Sequence, residues 1–277
     1  MNTRRKLFFF GKGGVAPAPG VVATGGTVQD VTIDGVAYRV HTFITSGDFV
    51  VTQGGQIEYL FIGGGAVGGY FVDAGNYGGG GGGAGEFKTG SLEVGTGSFP
   101  LVVGAGSKYS AVSEATDGSP TSGFGIEAIG GFASPLSSTF AGNIGGSSGN
   151  GFDGGAGFDG GVSNRRGGGG ASAIGNGLSA SDSTIGNGAD GIEINFNGTL
   201  RKYAAGGGGG ASRDSPGAGQ GGEGGGGNGS NYVNNNATNG EQNTGSGGGG
   251  IGDDTRGSTR PIAGDGADGV IMLRYKL

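Results

Sequence analysis

The chain has no cysteine, a single histidine and only 7 prolines in 277 residues. Without cysteine there are no disulfides, no thiolate metal sites and no cysteine nucleophile. The one histidine, His41, lies in a strand-like stretch beside Arg39 and Phe43. No nucleophile or orienting carboxylate accompanies it, so it is expected to be structural rather than catalytic. Scarce proline excludes a collagen helix, as does glycine that comes in blocks instead of a G-X-Y register. No apolar run approaches the roughly 18 to 20 residues of a membrane span. No 3.6-residue period outlasts one turn, so no helix is predicted. Positive charge is in deficit too: 16 Lys and Arg face 22 Asp and Glu, for a net charge of -6. Such a chain has no basic field to draw nucleic-acid phosphates, and nucleic acid is excluded as a partner.

What the chain has is glycine, 78 residues of it, about four times the usual share of about 7%. Glycine-rich chains tend to stay disordered, because glycine loses the most backbone entropy on folding and adds no side chain to a core. Against that stand 15 Phe, 8 Tyr and a hydrophobic fraction of 33%, concentrated in segments that alternate like strands. Runs 28–33, 36–44, 48–52 and 56–62 are separated by the turn pairs Asp34-Gly35, Ser46-Gly47 and Gly54-Gly55. The second run puts Val36, Tyr38, Val40, Thr42 and Ile44 on one face, the pattern of a sheet with one buried side. The fourth, the most continuously apolar, is expected to be the most central strand. Further strands are expected at 87–94, 98–103, 126–129, 192–196, 199–204 and 270–277, with Asn197-Gly198 as a two-residue type I′ turn.

The glycine blocks 78–83, 167–170, 206–210, 224–227 and 247–250 recur without a fixed period, which excludes a regular solenoid. Polyglycine can adopt the extended threefold helix of the polyproline II type, with no internal hydrogen bonds. Lacking Cβ atoms, such helices can pack closely and bond to one another through N–H and C=O groups. The expected fold is therefore all-β: a small sandwich or sheet of N-terminal strands plus the C-terminal strand, with a polyglycine II-like middle. The chain divides into an attachment arm and linker (1–27), a strand region with the first glycine block (28–104), a glycine-rich region with variable loops (105–264) and a closing strand (265–277). In the arm, Arg4, Arg5 and Lys6 precede Leu7 and Phe8, Phe9 and Phe10. Its apolar run is too short for a secretory signal, and so much exposed aromatic surface calls for a partner. Arg4, Arg5, Phe8, Phe9 and Phe10 are candidate assembly anchors.

Other motifs carry little chemistry. G-x-G-x-x-G matches, as around 123–130, arise by chance at this glycine content and lack the helix a dinucleotide site needs. Glu86 with Glu93 and Glu127 with Asp117 show no hydrolase motif. No catalytic residue, cofactor or metal site is assigned. Asp253, Asp254, Asp265 and Asp268 suggest calcium-binding β-roll turns, but only fragments such as 186–192 fit, leaving a secreted or cell-surface β-roll-like protein as the alternative. Of the aromatics Tyr70, Phe71, Tyr77, Phe132, Phe140, Phe152, Phe158 and Tyr232, the phenylalanines above all are expected to fill gaps between glycine layers and sheet, while Tyr70, Tyr77 and Tyr232 sit beside asparagines in a mixture suited to receptor contact. Polyglycine presents no side chains, so recognition must come from what interrupts it. The richest interruptions, within about 140–260, give the candidate receptor contacts Arg165, Arg166, Arg213, Tyr232, Asn234, Asn235 and Asn236.

Several pieces also carry a family resemblance: Ser46 to Val51, Ile57 to Gly65, the block 78–85, Pro100 to Gly106, Gly118 to Gly125 and Asp268 to Tyr275. In that order, over about 36–277, they resemble the glycine-rich domain of bacteriophage tail proteins. The resemblance implies a non-enzymatic virion component of the tail, a tail fibre or tail-tip part, extracellular after release. It also implies partners among tail or baseplate proteins, a homo-oligomer with a trimer as the commonest form, and a polyglycine sandwich whose loops meet a host glycan or outer-membrane protein.

Overall fold

The alternating segments become antiparallel strands in the computed structural model, which describes residues 20–70, 78–110, 115–135, 144–161, 164–213, 215, 217–231, 236–252 and 261–277. No helix occurs among them. The strands are β1 (Val22–Thr24), β2 (Thr27–Ile33), β3 (Val36–Phe43), β4 (Gly47–Gln53), β5 (Gly55–Ile62), β6 (Phe87–Val94), β7 (Gly97–Leu101), β8 (Thr121–Gly123), β9 (Ile126–Ala128), β10 (Phe158–Asp159), β11 (Arg165–Arg166), β12 (Ile192–Asn195), β13 (Leu200–Tyr203) and β14 (Val270–Lys276). A three-stranded sheet, β1-β4-β7, packs on a five-stranded one, β2-β3-β14-β5-β6. Between them lies a side-chain core that includes Phe43, Phe49, Ile57, Phe61, Ile271 and Leu273.

Several expectations need correction. The central strand is β14, not β5, because the C-terminal strand inserts between β3 and β5 and pairs with both. β3 is buried on both faces: His41 and Phe43 face the sandwich, while Tyr38 and Val40 sit in a second cluster on the other side. The β12-β13 hairpin covers that other side of the large sheet, with Phe196 and Tyr203 packed against Leu60, Ile62 and Met272. This hairpin turns through four residues, since Asn195 pairs with Leu200 and only Gly198 has positive φ. The two-residue type I′ turns are instead Asp34-Gly35 and Phe124-Gly125, where both residues have positive φ. The stretch 11–27, read as linker, contains β1 and the start of β2; residues 11–19 lie outside the described part.

Each strand that leaves the sandwich toward the glycine-rich region continues as an extended run with no hydrogen bonds of its own. Along the run 78–86 every bond goes to another run, and partners repeat every three residues. The N–H groups of Gly79, Gly82 and Gly85 donate to Ile251, Gly248 and Gly245, those of Gly81 and Ala84 to Gly168 and Ala171, and those of Gly83 and Glu86 to Phe132 and Ile129. Carbonyls of the same run accept from 63–69, 146–149 and 207–210. A three-residue period without internal bonds is the polyglycine II helix, here with six neighbours.

Traced through the whole bond network, the runs form a hexagonal array in four rows. The first row is 115–120, 129–135, 144–149 and 152–157; the second is 104–110, 63–70, 78–86, 167–173 and 177–180. The third is 261–269, 245–252, 204–211 and 185–191; the last is 236–241, 226–231 and 217–222. Five runs, 63–70, 78–86, 167–173, 204–211 and 245–252, are enclosed on all sides. These hold four of the five glycine blocks, and a close approach explains why. A Cβ on Gly81 would lie 1.9 Å from the Gly207 carbonyl oxygen, and one on Gly207 would lie 2.0 Å from that of Gly248. The core of this region is backbone, satisfied by backbone.

Candidate functional site

The array has two unlike ends. Runs leave the sandwich at 63, 104, 129 and 204 and return to it at 86, 120, 191 and 269, directly continuous with strands. Remaining near-end connections are tight turns around Gly151, Ala173 to Gly175, Glu223 to Gly225 and Gln242 to Gly245. The opposite end, the tip, carries the connections that begin after 70, 110, 135, 157, 180, 211, 231 and 252. At the far side of the sandwich, where residue 20 enters, a cleft of about 680 Å³ is lined by residues including Gln56, Glu58, Glu93 and Lys276.

Of the candidate receptor contacts, Tyr232, Asn234 and Asn235 lie outside the described residues, as do the anchors Arg4, Arg5, Phe8, Phe9 and Phe10. Arg165 and Arg166 do reach the tip, on β11, but they point inward and are 7% and 3% exposed. The Arg166 guanidinium donates to the carbonyls of Ser181 and Thr184, to Asn164 Oδ1 and to Ser215 Oγ, and it stands 5.9 Å from the Phe158 ring centroid. Arg165 Nε donates to Asp159. Both side chains are engaged inside the protein: Arg166 ties the 158–166 hairpin to the connections at 181–184 and 215, and Arg165 braces the hairpin through Asp159. Arg213 is half-buried at the tip. Asn236 is not in a loop but opens the run 236–241, with its Oδ1 accepting the Ile262 N–H. Among the expected gap fillers, Tyr70 is buried, Phe152 and Phe158 are half-buried, and Phe132 is exposed; Phe71, Tyr77 and Phe140 are outside the described residues.

A buried histidine and tyrosine meet in the sandwich. His41 is fully buried, Nδ1 donating to the Gly25 carbonyl, with Nε2 3.2 Å from the Tyr275 hydroxyl and Phe49 edge-on at 5.1 Å. Burial is the main cause that lowers its pKa, and burial likewise raises that of Tyr275. Both ring nitrogens of His41 are thus engaged inside the sandwich.

Side chains on the outer runs take a role that the sequence did not suggest. Asn187 and Asp190 accept the N–H groups of Gln220 and Glu223; Asn239 accepts that of Asp265; Asp265 and Asp268 accept those of Tyr109 and Gly106; Asn176 and Ser179 accept those of Asp153 and Ala156. The side-chain oxygens replace carbonyls that a further run would have supplied, and their i, i+3 spacing is the period of the helix. That spacing was the available signal. It also gives Asp265 and Asp268 their place, as acceptors of backbone N–H groups. No cluster of three or more acidic or histidine side chains that could hold a metal occurs among the described residues.

Residues 44–276, most of the chain, match the family described as glycine-rich domain. The chain belongs to that glycine-rich domain family. No curated protein matches it significantly. The matched span runs from just before β4 to the last residue of β14, so it takes in the whole array and the strands from β4 onward, while β1, β2 and β3 precede it. No helix among the described residues is long and apolar enough to cross a membrane.

Proposed function

We propose that this glycine-rich domain protein is a non-enzymatic structural component of a bacteriophage virion, a tail fibre or tail-tip part. In this reading it is attached through its sandwich end and meets the host surface with its tip. The observation that carries the reading is the polarity of the molecule. Residue 20 enters at the base of the sandwich, and the outgoing runs of the array end at the opposite end. A particle that must hold shape outside a cell gains from a scaffold stiffened by backbone hydrogen bonds, with no disulfide to reduce. Loops on such a scaffold can change in sequence without disturbing it. The anchor residues Arg4, Arg5, Phe8, Phe9 and Phe10 would join it to tail or baseplate proteins or to further copies of itself.

The test is adsorption. Particles whose protein carries Tyr232, Asn234, Asn235 and Asn236 exchanged for Gly and Ser are expected to assemble normally and lose binding to host cells. Normal adsorption would remove the tip from host recognition. Particles that form and adsorb without this protein would end the tail reading altogether.

A further inference from the structure

Three amides on the outer array are fixed in one orientation by the lattice itself. Asn187 Oδ1 accepts the Gln220 N–H at 2.9 Å, and Asn228 Oδ1 accepts the N–H of the next residue, Gly221, at 2.8 Å. Thr238 Oγ1 accepts the Asn228 N–H at 2.7 Å, and beside Thr238 the Oδ1 of Asn239 accepts the Asp265 N–H at 2.9 Å. A backbone N–H can be met only by an amide's oxygen, so in each residue the Nδ2 group is the atom left over. None of the three Nδ2 groups has an acceptor among the described residues. Through these shared bonds they form a belt across the last row of the array and the adjoining run 185–191, with the exposed Gln220 side chain among them.

We infer that this belt is a binding site for a neutral, acceptor-rich polysaccharide. Each Nδ2 offers two donors held in place before any ligand arrives, so little side-chain entropy remains to be lost on binding. Repeating sugar hydroxyl, ring and acetyl oxygens are the acceptors that such a row fits. The charge around the belt selects against anionic chains. Asp190, Glu223 and Glu241 flank it, and the nearby cations Lys202 and Arg201 are paired with Glu223 and Glu241. The site lies on the side of the array, distinct from the tip, and does not depend on the tail reading.

Asparagine to aspartate isolates the donors, since a carboxylate keeps the lattice bond, as Asp190, Asp265 and Asp268 already do. The purified full-length protein and the triple variant Asn187→Asp, Asn228→Asp, Asn239→Asp would be compared by affinity electrophoresis and calorimetry. The probes are dextran, mannan and chitohexaose, with alginate and heparin as anionic controls. The expected result is binding of at least one neutral probe, weakened at least about tenfold in the triple variant, as for the loss of several hydrogen bonds, with an unchanged melting temperature. No binding of any neutral probe, equal binding by the variant, or a preference for the anionic controls would each overturn the inference. Binding that is lost only on the tip exchange at 232–236 would overturn it too and move recognition to the tip.

Discussion

Placing a methyl group at Gly81 tests whether the glycine array is a packed core. Gly81 lies in an enclosed run, donating to Gly168 and accepting from Gly146. Its added Cβ would stand 1.9 Å from the Gly207 oxygen, 2.4 Å from the Gly207 carbon and 3.0 Å from the Gly170 nitrogen, all of them backbone atoms. The run carrying Gly207 would have to retreat by roughly 1 Å, an overpacking strain of about 1–3 kcal/mol. That movement opens the bonds from Gly170 N–H to Gly207 and from Gly207 N–H to Gly82, each contributing about 1 kcal/mol. Lower unfolded-state freedom of alanine offsets about 0.4–1 kcal/mol. The net loss is about 2–5 kcal/mol, or roughly 4–20 °C in melting temperature for a chain of this size. Gly217→Ala is the control: the nearest atom to its Cβ is Ile185 Cδ1 at 3.6 Å, an ordinary contact. It is expected to be neutral or slightly stabilising. Differential scanning calorimetry of the two variants decides the matter, and equal melting temperatures would refute a close-packed backbone core.

A second expectation concerns acid. His41 is held below its ordinary value of 6.5 chiefly by burial, opposed by its bond to Gly25, with Arg39 lowering and Asp30 raising it further. Above pH 6.5 the imidazole is neutral in both folded and unfolded chains, and its contribution is fully present. As pH falls below that, the unfolded chain takes up the proton first, and stability declines until the folded-state pKa is passed. The melting temperature should therefore drop between about pH 7 and pH 5, and His41→Gln should flatten that part of the profile; an unchanged slope would count against the buried neutral imidazole. Third, Arg274 pairs with Glu58, donates to the Phe196 carbonyl and stacks on Tyr38 and Phe196, at 4.6 and 4.4 Å. Arg274→Lys keeps the charge but loses the fork and the stacking, and should lower stability by about 1–3 kcal/mol in urea unfolding.

The sandwich was largely legible in the amino-acid sequence, because strand alternation, β-branched runs and turn pairs such as Asp34-Gly35 are local signals. Glycine blocks likewise announced a region with no side-chain core, since only glycine allows backbones to approach as Gly81 and Gly207 do. Which runs become neighbours was not written locally. Polyglycine segments are alike in composition, and their order in four rows follows from the strands and turns that launch and return them. The same holds for β14, whose central place depends on a chain returning from the array between β3 and β5. Burial of Arg165 and Arg166 was equally hidden, because a pair of arginines in a polar, glycine-rich stretch reads as exposed until the carbonyls of Ser181 and Thr184 are brought beside it. The amides of Asn187, Asn228 and Asn239 became a belt for a related reason. Their three-residue helix is a property of the sequence, but the outer position that turns each oxygen inward and each Nδ2 outward is set only by the packed array.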